Sequence, residues 1–291
     1  MTTMTKTQSV TPLRAKEPEA RFIDLCAAEW IKIRSLRSTY LVLLFAAAVT
    51  IFINLNGVHS DLYYLDHPRT PPTPLPPGWQ PWVYDPLSRS LSKISIQFMV
   101  LGAAAIGGLT MFGEYSTGLI RVTFAAVPAR RGVVAAKIVV MTALSTVLGI
   151  VVALVSFLGG QAMLSSRHVG TSLSVPDAFW AVVAYTVVVP VCALIGMMFG
   201  AVIRNATATI VAVVAFLFLL PAFFGGDKYR WVKETGKLFP LNAEGHLTEW
   251  SKSPYNDGKW PQTTTESWLV LGAWAIVSII VAVTVVKRRD V

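Results

Sequence analysis

Long apolar runs separated by short polar segments make up most of this chain. A helix needs about 20 mostly apolar residues to cross the hydrocarbon core of a bilayer. Because backbone groups in lipid must form their hydrogen bonds within the segment, such runs are predicted to be helices. The pattern predicts an all-α integral membrane protein, with a six-helix transmembrane domain over residues 39–286. The six predicted spans are residues 39–55, 94–112, 133–158, 178–203, 206–224 and 267–286.

Prolines and small residues inside these windows predict how the helices bend and pack. Pro190 lies inside the fourth window and Pro221 near the end of the fifth, so we expect a kink at each. Gly196 and Gly200 form a small-x-x-x-small pair that lets another helix approach closely. Packing within one chain is the simpler interpretation, and a seam between two copies is the alternative. The second window carries the further pairs Ala103 with Gly107 and Ala104 with Gly108.

An amphipathic segment precedes the first window. Basic residues occupy much of one side, and such a helix lies in the headgroup plane with its cations near anionic lipid. Residues 21–38 are therefore predicted to form an interfacial elbow helix, with a charged flank continuing the first span as the alternative. The residues that recur at helical spacing on its apolar side are Phe22, Leu25, Cys26, Glu29, Ile33 and Leu36.

Composition and charge agree with a membrane protein. Of the 291 residues only 14% are charged, against about 25% in an average soluble protein. The net charge of +9 does not indicate nucleic-acid binding, because the basic residues flank apolar windows instead of forming one face. Their concentration before the first window, after the second and at the end predicts cytoplasmic termini, although a basic cluster between Lys228 and Lys259 is a counter-signal. Residues 1–20 are expected to be a flexible cytoplasmic tail and residues 287–291 a second one.

The connector between the second and third windows contains more distinctive residues than a simple turn needs. Ser116 and Thr117 are suitable N-caps for a short helix that reaches about Ala126. Pro128 ends this helix, and Arg130 with Arg131 follows at the turn. A short helix with a mixed apolar face suits a groove on a soluble partner. The alternative is a tight turn that the arginines hold at the headgroups.

Several features that other membrane proteins need are missing from the sequence. It has no Gly-x-x-x-x-Gly-Lys-Ser/Thr loop for ATP phosphates. The six windows contain no Asp or Glu, which ion-coupled carriers place at mid-membrane. Lys137, near the start of the third window, is expected to extend its ammonium toward the cytoplasm. Cys26 and Cys192 show no metal-ligand spacing. We expect no catalytic residue, no metal and no cofactor on this chain.

The connector resembles that of ABC-2-type permeases, the membrane subunits of one class of ABC exporter. The order Glu-x-x-x-Gly, an apolar stretch, Pro, Arg and Lys is occupied by Glu114, Gly118, Pro128, Arg130 and Lys137. The run 28–39 is also similar to the lead-in of actinobacterial permeases of this type. The resemblance implies a cytoplasmic coupling helix at residues 117–124 that sits in a cleft of the ATPase subunit. It implies ATPase docking by Glu114, Tyr115, Thr117, Gly118, Leu119, Arg121, Val122, Phe124, Pro128 and Arg130.

The resemblance further implies a permease subunit of an ATP-driven exporter in the plasma membrane of a bacterium. ATP and Mg would be bound by the partner ATPase, and a second permease, identical or a sister chain, would complete the complex in membrane lipid. The windows are otherwise apolar, which favours a lipid-like, amphiphilic or drug-like cargo. The alternatives are a membrane scaffold or sensor that recruits a cytoplasmic protein and, third, a secondary carrier. The polar candidates for a substrate path are Thr50, Asn54, Ser95, Gln97, Thr207 and Thr209.

Overall fold

The computed structural model describes residues 21–67, 84–116, 130–226, 228–249 and 260–288, with the backbone alone for 114–116, 130 and 287–288. All regular structure in these ranges is helical, and six segments are long and apolar enough to cross a membrane. The predicted all-α fold is therefore confirmed, with six helices long and apolar enough to span a membrane. The elements are α1 (Phe22–Ser35), α2 (Arg37–Asp66), α3 (Pro86–Ser90), α4 (Lys93–Ser116), α5 (Arg130–Ser165), α6 (Pro176–Ile203), α7 (Ala206–Val214), a π-helical turn (Ala215–Leu219), α8 (Leu220–Phe223), α9 (Arg230–Lys237), α10 (Pro240–Thr248) and α11 (Thr264–Arg288).

Helices α2 and α5 extend well past the apolar windows predicted for them. They have 30 and 36 residues, or about 45 and 54 Å at ~1.5 Å per residue, against a hydrocarbon core of about 30 Å. Both protrude at the end of the bundle away from residues 117–129. We call this end the far side and the opposite end the connector side. On the far side Arg167 donates to both carboxylate oxygens of Asp66, each at 2.7 Å, and this ion pair ties the protruding ends together.

Helix α6 is the centre of the bundle and packs against α4, α5 and α11. Its contact with α4 depends on glycine, because a Cβ at Gly196 would overlap the carbonyl of Ala104 and a Cβ at Gly107 would overlap that of Ala193. Gly200 lies one turn further along and faces Gly108 in the same way. The small residues therefore bring two helices of one chain together, as the simpler interpretation predicted.

The two prolines in the spans have different surroundings. Helix α6 continues through Pro190 without a break. Before Pro221 the fifth span widens into the π turn, where the N–H of Leu220 donates to the carbonyl of Ala215. A π turn accommodates one extra residue and is a common site of bending. The predicted irregularity in the fifth span is therefore a π turn that leads into the proline.

Helix α1 is separate from the first span. Leu36 has an extended backbone, with φ −88° and ψ 98°, so the chain turns there before α2 begins at Arg37. Helix α1 and the first span are therefore two helices with a turn at Leu36 between them. Leu25 and Ile33 are partly buried, whereas Ile23 and Ile31 are exposed. Apolar residues thus lie on more than one side of α1, only part of which is covered by the rest of the chain.

Candidate functional site

The connector is framed by two helix ends. Helix α4 ends at Ser116 and α5 begins at Arg130. Glu114 and Tyr115 therefore belong to the last turn of α4 and Arg130 to the first turn of α5. The remaining residues predicted to dock on an ATPase lie outside the described residues: Thr117, Gly118, Leu119, Arg121, Val122, Phe124 and Pro128.

A buried ion pair joins α1 to α5, about two turns after the connector. The Nζ of Lys137 donates to one carboxylate oxygen of Glu29 at 2.6 Å, and the Nζ of Lys32 donates to the other at 2.7 Å. The side chains of Glu29 and Lys137 are each 6% exposed, whereas that of Lys32 is 43% exposed. We call these three residues the α1–α5 clamp.

The clamp corrects the expectation for Lys137. Its ammonium does not extend toward water but turns inward to a carboxylate on another helix. Removing one partner of a buried pair commonly costs about 3–5 kcal/mol, because the other charge is left uncompensated. Helices α1 and α5 are therefore held as one unit next to the connector. The sequence carried a partial signal, since Glu29 is an acidic residue on the apolar side of α1.

Three of the six predicted path residues meet in one closed polar cluster. The amide nitrogen of Asn54 donates to the hydroxyls of Ser156 and Tyr185, both at 3.0 Å. Its amide oxygen accepts from the N–H of Ser92 at 2.9 Å and from the hydroxyl of Ser95 at 2.6 Å. An asparagine side chain offers two donors and two acceptor positions. Every hydrogen-bonding position of Asn54 is therefore filled by protein.

The cluster links four helices at the level where α4 begins. Tyr185 and Ser95 are 2.9 Å apart through their hydroxyls, so Asn54, Tyr185 and Ser95 complete a ring of hydrogen bonds. Thr50 adds a hydrogen bond to the carbonyl of Ser95 at 3.1 Å. Sequence reasoning missed Tyr185 and Ser156, because single polar residues in apolar windows give no sign of what they face. The geometry makes this cluster an internal tie between α2, α4, α5 and α6.

The other three path candidates lie elsewhere. Gln97 is half-buried, one turn along α4 from the start of the cluster. Thr207 is exposed at the first turn of α7, and Thr209 is buried. The Cγ2 of Thr209 would lie 2.9 Å from a methyl group at Gly108, so it packs at the connector side. The six candidates therefore do not line one continuous path within a single chain.

Glu244 is a buried carboxylate in the connection between the fifth and sixth predicted spans. It lies on α10, a short helix packed against α6 and α11, and is fully buried. Neither carboxylate oxygen has a hydrogen-bond partner in the described part of the chain. Burial raises the pKa of Glu244 to about 8, against a smaller opposing effect of the Lys93 ammonium. Hydropathy averaged over the sequence does not predict the burial of Glu244, because α10 is too short and too polar to be recognised as a buried helix.

A protein-family model described as "Protein of unknown function (DUF2705)" matches residues 43–291. The chain belongs to this family. The matched region of this DUF2705 protein contains the Asn54 cluster, Lys137 and Glu244. Helix α1, with Glu29 and Lys32, precedes it. No curated protein matches the chain.

Proposed function

We propose that this protein is the permease subunit of an ATP-driven ABC exporter of the ABC-2 type. It would form the substrate path and couple to a separate ATPase subunit through residues 117–124. Six apolar spans and the connector pattern from Glu114 to Lys137 support the proposal. The bacterial plasma membrane, cytoplasmic termini and a lipid-like, amphiphilic or drug-like cargo belong to the same proposal.

The α1–α5 clamp is the observation that carries the proposal furthest. Lys137 is the last position of the connector pattern and is bound to Glu29 of α1. A partner that pushes on the connector would therefore move α5 and α1 together. The exposed side chains of Phe22, Ile23 and Trp30 suit an α1 that lies in the membrane interface as the elbow helix.

A second permease would complete the path. The apolar windows of the fifth span and of α11 are each only 22% buried within the chain, against 78% for α6. Lipid or a second permease is what such surfaces contact in a membrane. A path between two copies would be lined by these peripheral helices and would remain largely apolar, which favours amphiphilic cargo.

Reconstitution tests the exporter proposal directly. The chain would be co-expressed with a candidate ATPase subunit, identified by a Gly-x-x-x-x-Gly-Lys-Ser/Thr loop in a neighbouring reading frame, and reconstituted with the ATPase facing outward. A fluorescent amphiphile should accumulate in these vesicles only with ATP, with both subunits present and with an intact ATPase. The proposal is wrong if no ATPase co-purifies with the chain and no ATP-dependent uptake occurs.

Glu244 favours a second candidate, the secondary carrier. The six apolar windows of the sequence lack carboxylates, but α10 supplies one that is fully buried against α6. Buried acidic residues in membrane proteins commonly bind protons or cations. A proton-coupled carrier would move cargo in vesicles that contain this chain alone when a pH gradient is imposed. Uptake that requires ATP and ignores the gradient would exclude it.

A further inference from the structure

A polar pocket lies on the far side, where several segments of different helices meet. It has a volume of about 300 Å³ and is bordered by the first residue of α4, by α9 and α10, and by the segment before α11. It is separate from the polar path candidates and from the connector. The side chains that carry the argument are Lys93, Lys233, Lys237, His246, Glu249 and Gln262.

The charge of the pocket is positive. Three lysines line it against one carboxylate, that of Glu249. Lys237 lies 3.1 Å from Glu234, so its charge is partly offset. Burial lowers the pKa of His246, which disfavours the charged form of this imidazole. Within the described residues neither Lys93 nor Lys233 forms an ion pair. The Lys93 ammonium acts electrostatically on the buried Glu244, and both lysine side chains line the pocket.

The surroundings of the pocket suit an amphiphile. Phe224 forms part of its wall, and the ring of Trp231 packs edge-on against Phe224 with centroids 6.3 Å apart. Phe223 is 78% exposed and Trp231 65%. Exposed aromatic rings beside a lysine-lined hollow are typical of the bilayer interface, where headgroup and chain separate.

The size of the pocket limits what it holds. A volume of about 300 Å³ is at the small end of the ~300–1,000 Å³ range of ligand sites. It fits a headgroup but not a whole lipid, so attached chains would pass out along Phe223 and Trp231. Lysines bind phosphate as point charges with several donors. Gln262 and Asn242 add side-chain amides to the wall.

We propose that the far-side pocket binds the phosphate group of an anionic amphiphile, with Lys93 and Lys233 as the principal ligands. Binding requires this chain alone and no ATPase. The proposal is therefore independent of the exporter proposal, and either one can fail without the other. A lipid headgroup and a soluble phosphate ester share the recognised chemistry, and the experiment separates them.

The test uses the full chain purified in a neutral detergent. Dihexanoyl-phosphatidylglycerol, dihexanoyl-phosphatidylcholine and glycerol 3-phosphate are titrated separately, and binding is followed by tryptophan fluorescence and by the thermal unfolding midpoint. Wild type should bind phosphatidylglycerol at least about tenfold more tightly than phosphatidylcholine. Both lipids present a phosphodiester, but the quaternary ammonium of choline cancels the net negative charge and is repelled by the lysines. If glycerol 3-phosphate saturates the pocket, the ligand is a soluble phosphate ester. If only phosphatidylglycerol saturates it, the ligand is a lipid headgroup.

Matched variants locate the site. Lys93→Met removes the ammonium but keeps the methylene stem that packs against Gly245, and Lys233→Gln removes the second one. Each should weaken binding about tenfold. The control Lys228→Gln makes the same charge change in the same external segment, at an exposed residue outside the pocket, and should bind as wild type does.

Three results would overturn the proposal. They are wild-type affinity in both pocket variants, an equal loss in Lys228→Gln, and equal binding of phosphatidylcholine and phosphatidylglycerol. If Lys93→Met does not fold, Lys233→Gln decides alone, because Lys233 is only half-buried and lies on the outer helix α9.

Discussion

Glu29 and Glu244 are both buried carboxylates, but their surroundings differ. Glu29 accepts hydrogen bonds from two ammonium groups, so its charge is compensated where it lies. Glu244 has no hydrogen-bond partner in the described part of the chain, and the charge of Lys93 only partly opposes the effect of its burial. Glu29 therefore connects two helices through its ion pairs, whereas Glu244 favours its protonated form.

The α1–α5 clamp predicts a clear loss of stability when it is broken. Lys137→Met leaves Glu29 buried with one partly exposed lysine, which should lower the free energy of unfolding by about 3–5 kcal/mol. The double variant Glu29→Leu/Lys137→Met removes both charges and should regain most of that loss. Thermal unfolding in detergent measures the effect, with Lys32→Met, at a more exposed pair, expected to cost at most about 1 kcal/mol. A double variant no more stable than the single one would contradict this account.

Glu244 predicts a dependence of stability on pH. Its folded pKa of about 8 lies above its ordinary value of 4.5, so between these two pH values the folded state holds a proton that the unfolded state has released. Stability should therefore fall as pH rises through this window, by up to about 1.4 kcal/mol per pH unit. Glu244→Gln should lose this slope and gain stability above about pH 6. Unfolding midpoints from pH 5 to 9 measure it.

The control for the Glu244→Gln variant is a substitution at Glu249, just after the end of α10. Glu249 is exposed, so Glu249→Gln should keep the wild-type slope with a small shift toward lower pH, because its charge contributes to the raised pKa of Glu244. An unchanged slope in Glu244→Gln would mean that another group controls the pH response.

At the scale of helices, the sequence predicts those segments whose own residues are strongly apolar and misses those stabilised by distant residues. Each span is apolar on its own, so the six windows were found from the sequence. The far ends of α2 and α5 were missed because their polar residues are stabilised from elsewhere, as Asp66 is by Arg167 and Asp61 is by Arg89 at 3.1 Å. The candidate site was found less completely than the fold. Asn54 was visible as a polar residue, but its partners are more than 100 residues away in two cases.

The contact between α4 and α6 predicts a strict requirement for glycine. Gly196→Ala places a methyl group on the carbonyl of Ala104, so the helices must separate, at a cost of about 1–3 kcal/mol. The control Gly272→Ala adds the same methyl on α11, where no atom lies within 4 Å, and should be neutral or stabilising by up to about 1 kcal/mol. Unfolding midpoints compare the two. Equal effects at both sites would show that close approach is not what Gly196 provides.

For the whole molecule, α4 connects the two ends that carry the proposals. It begins at Lys93 in the far-side pocket and runs to Ser116 beside the connector. Along its length it is packed against the central helix α6, and at its start it is tied to α2 through the Asn54 cluster. Helix α4 is therefore in packed contact with its neighbours from the far side to the connector side, and the α1–α5 clamp joins a second pair of helices at the connector side.

This arrangement makes the connector the place where coupling should fail first. Gly118→Pro fixes φ and removes a backbone donor at the start of the predicted coupling helix, while the spans keep all their packing. We expect normal membrane insertion, reduced co-purification of the ATPase and lost ATP-dependent uptake. Glu114→Ala should act in the same direction more weakly, since it removes one charge-assisted contact of about 1.5–3 kcal/mol at most.

The matched control for Gly118→Pro makes the same substitution at the opposite end of the molecule. Gly226 is exposed on the far side, and a Cβ there meets no atom within 4 Å. Gly226→Pro should therefore insert, retain the ATPase and transport as wild type does. If Gly118→Pro also binds the ATPase fully and transports normally, the connector is only a turn. The α1–α5 clamp would then be a structural joint without a role in coupling.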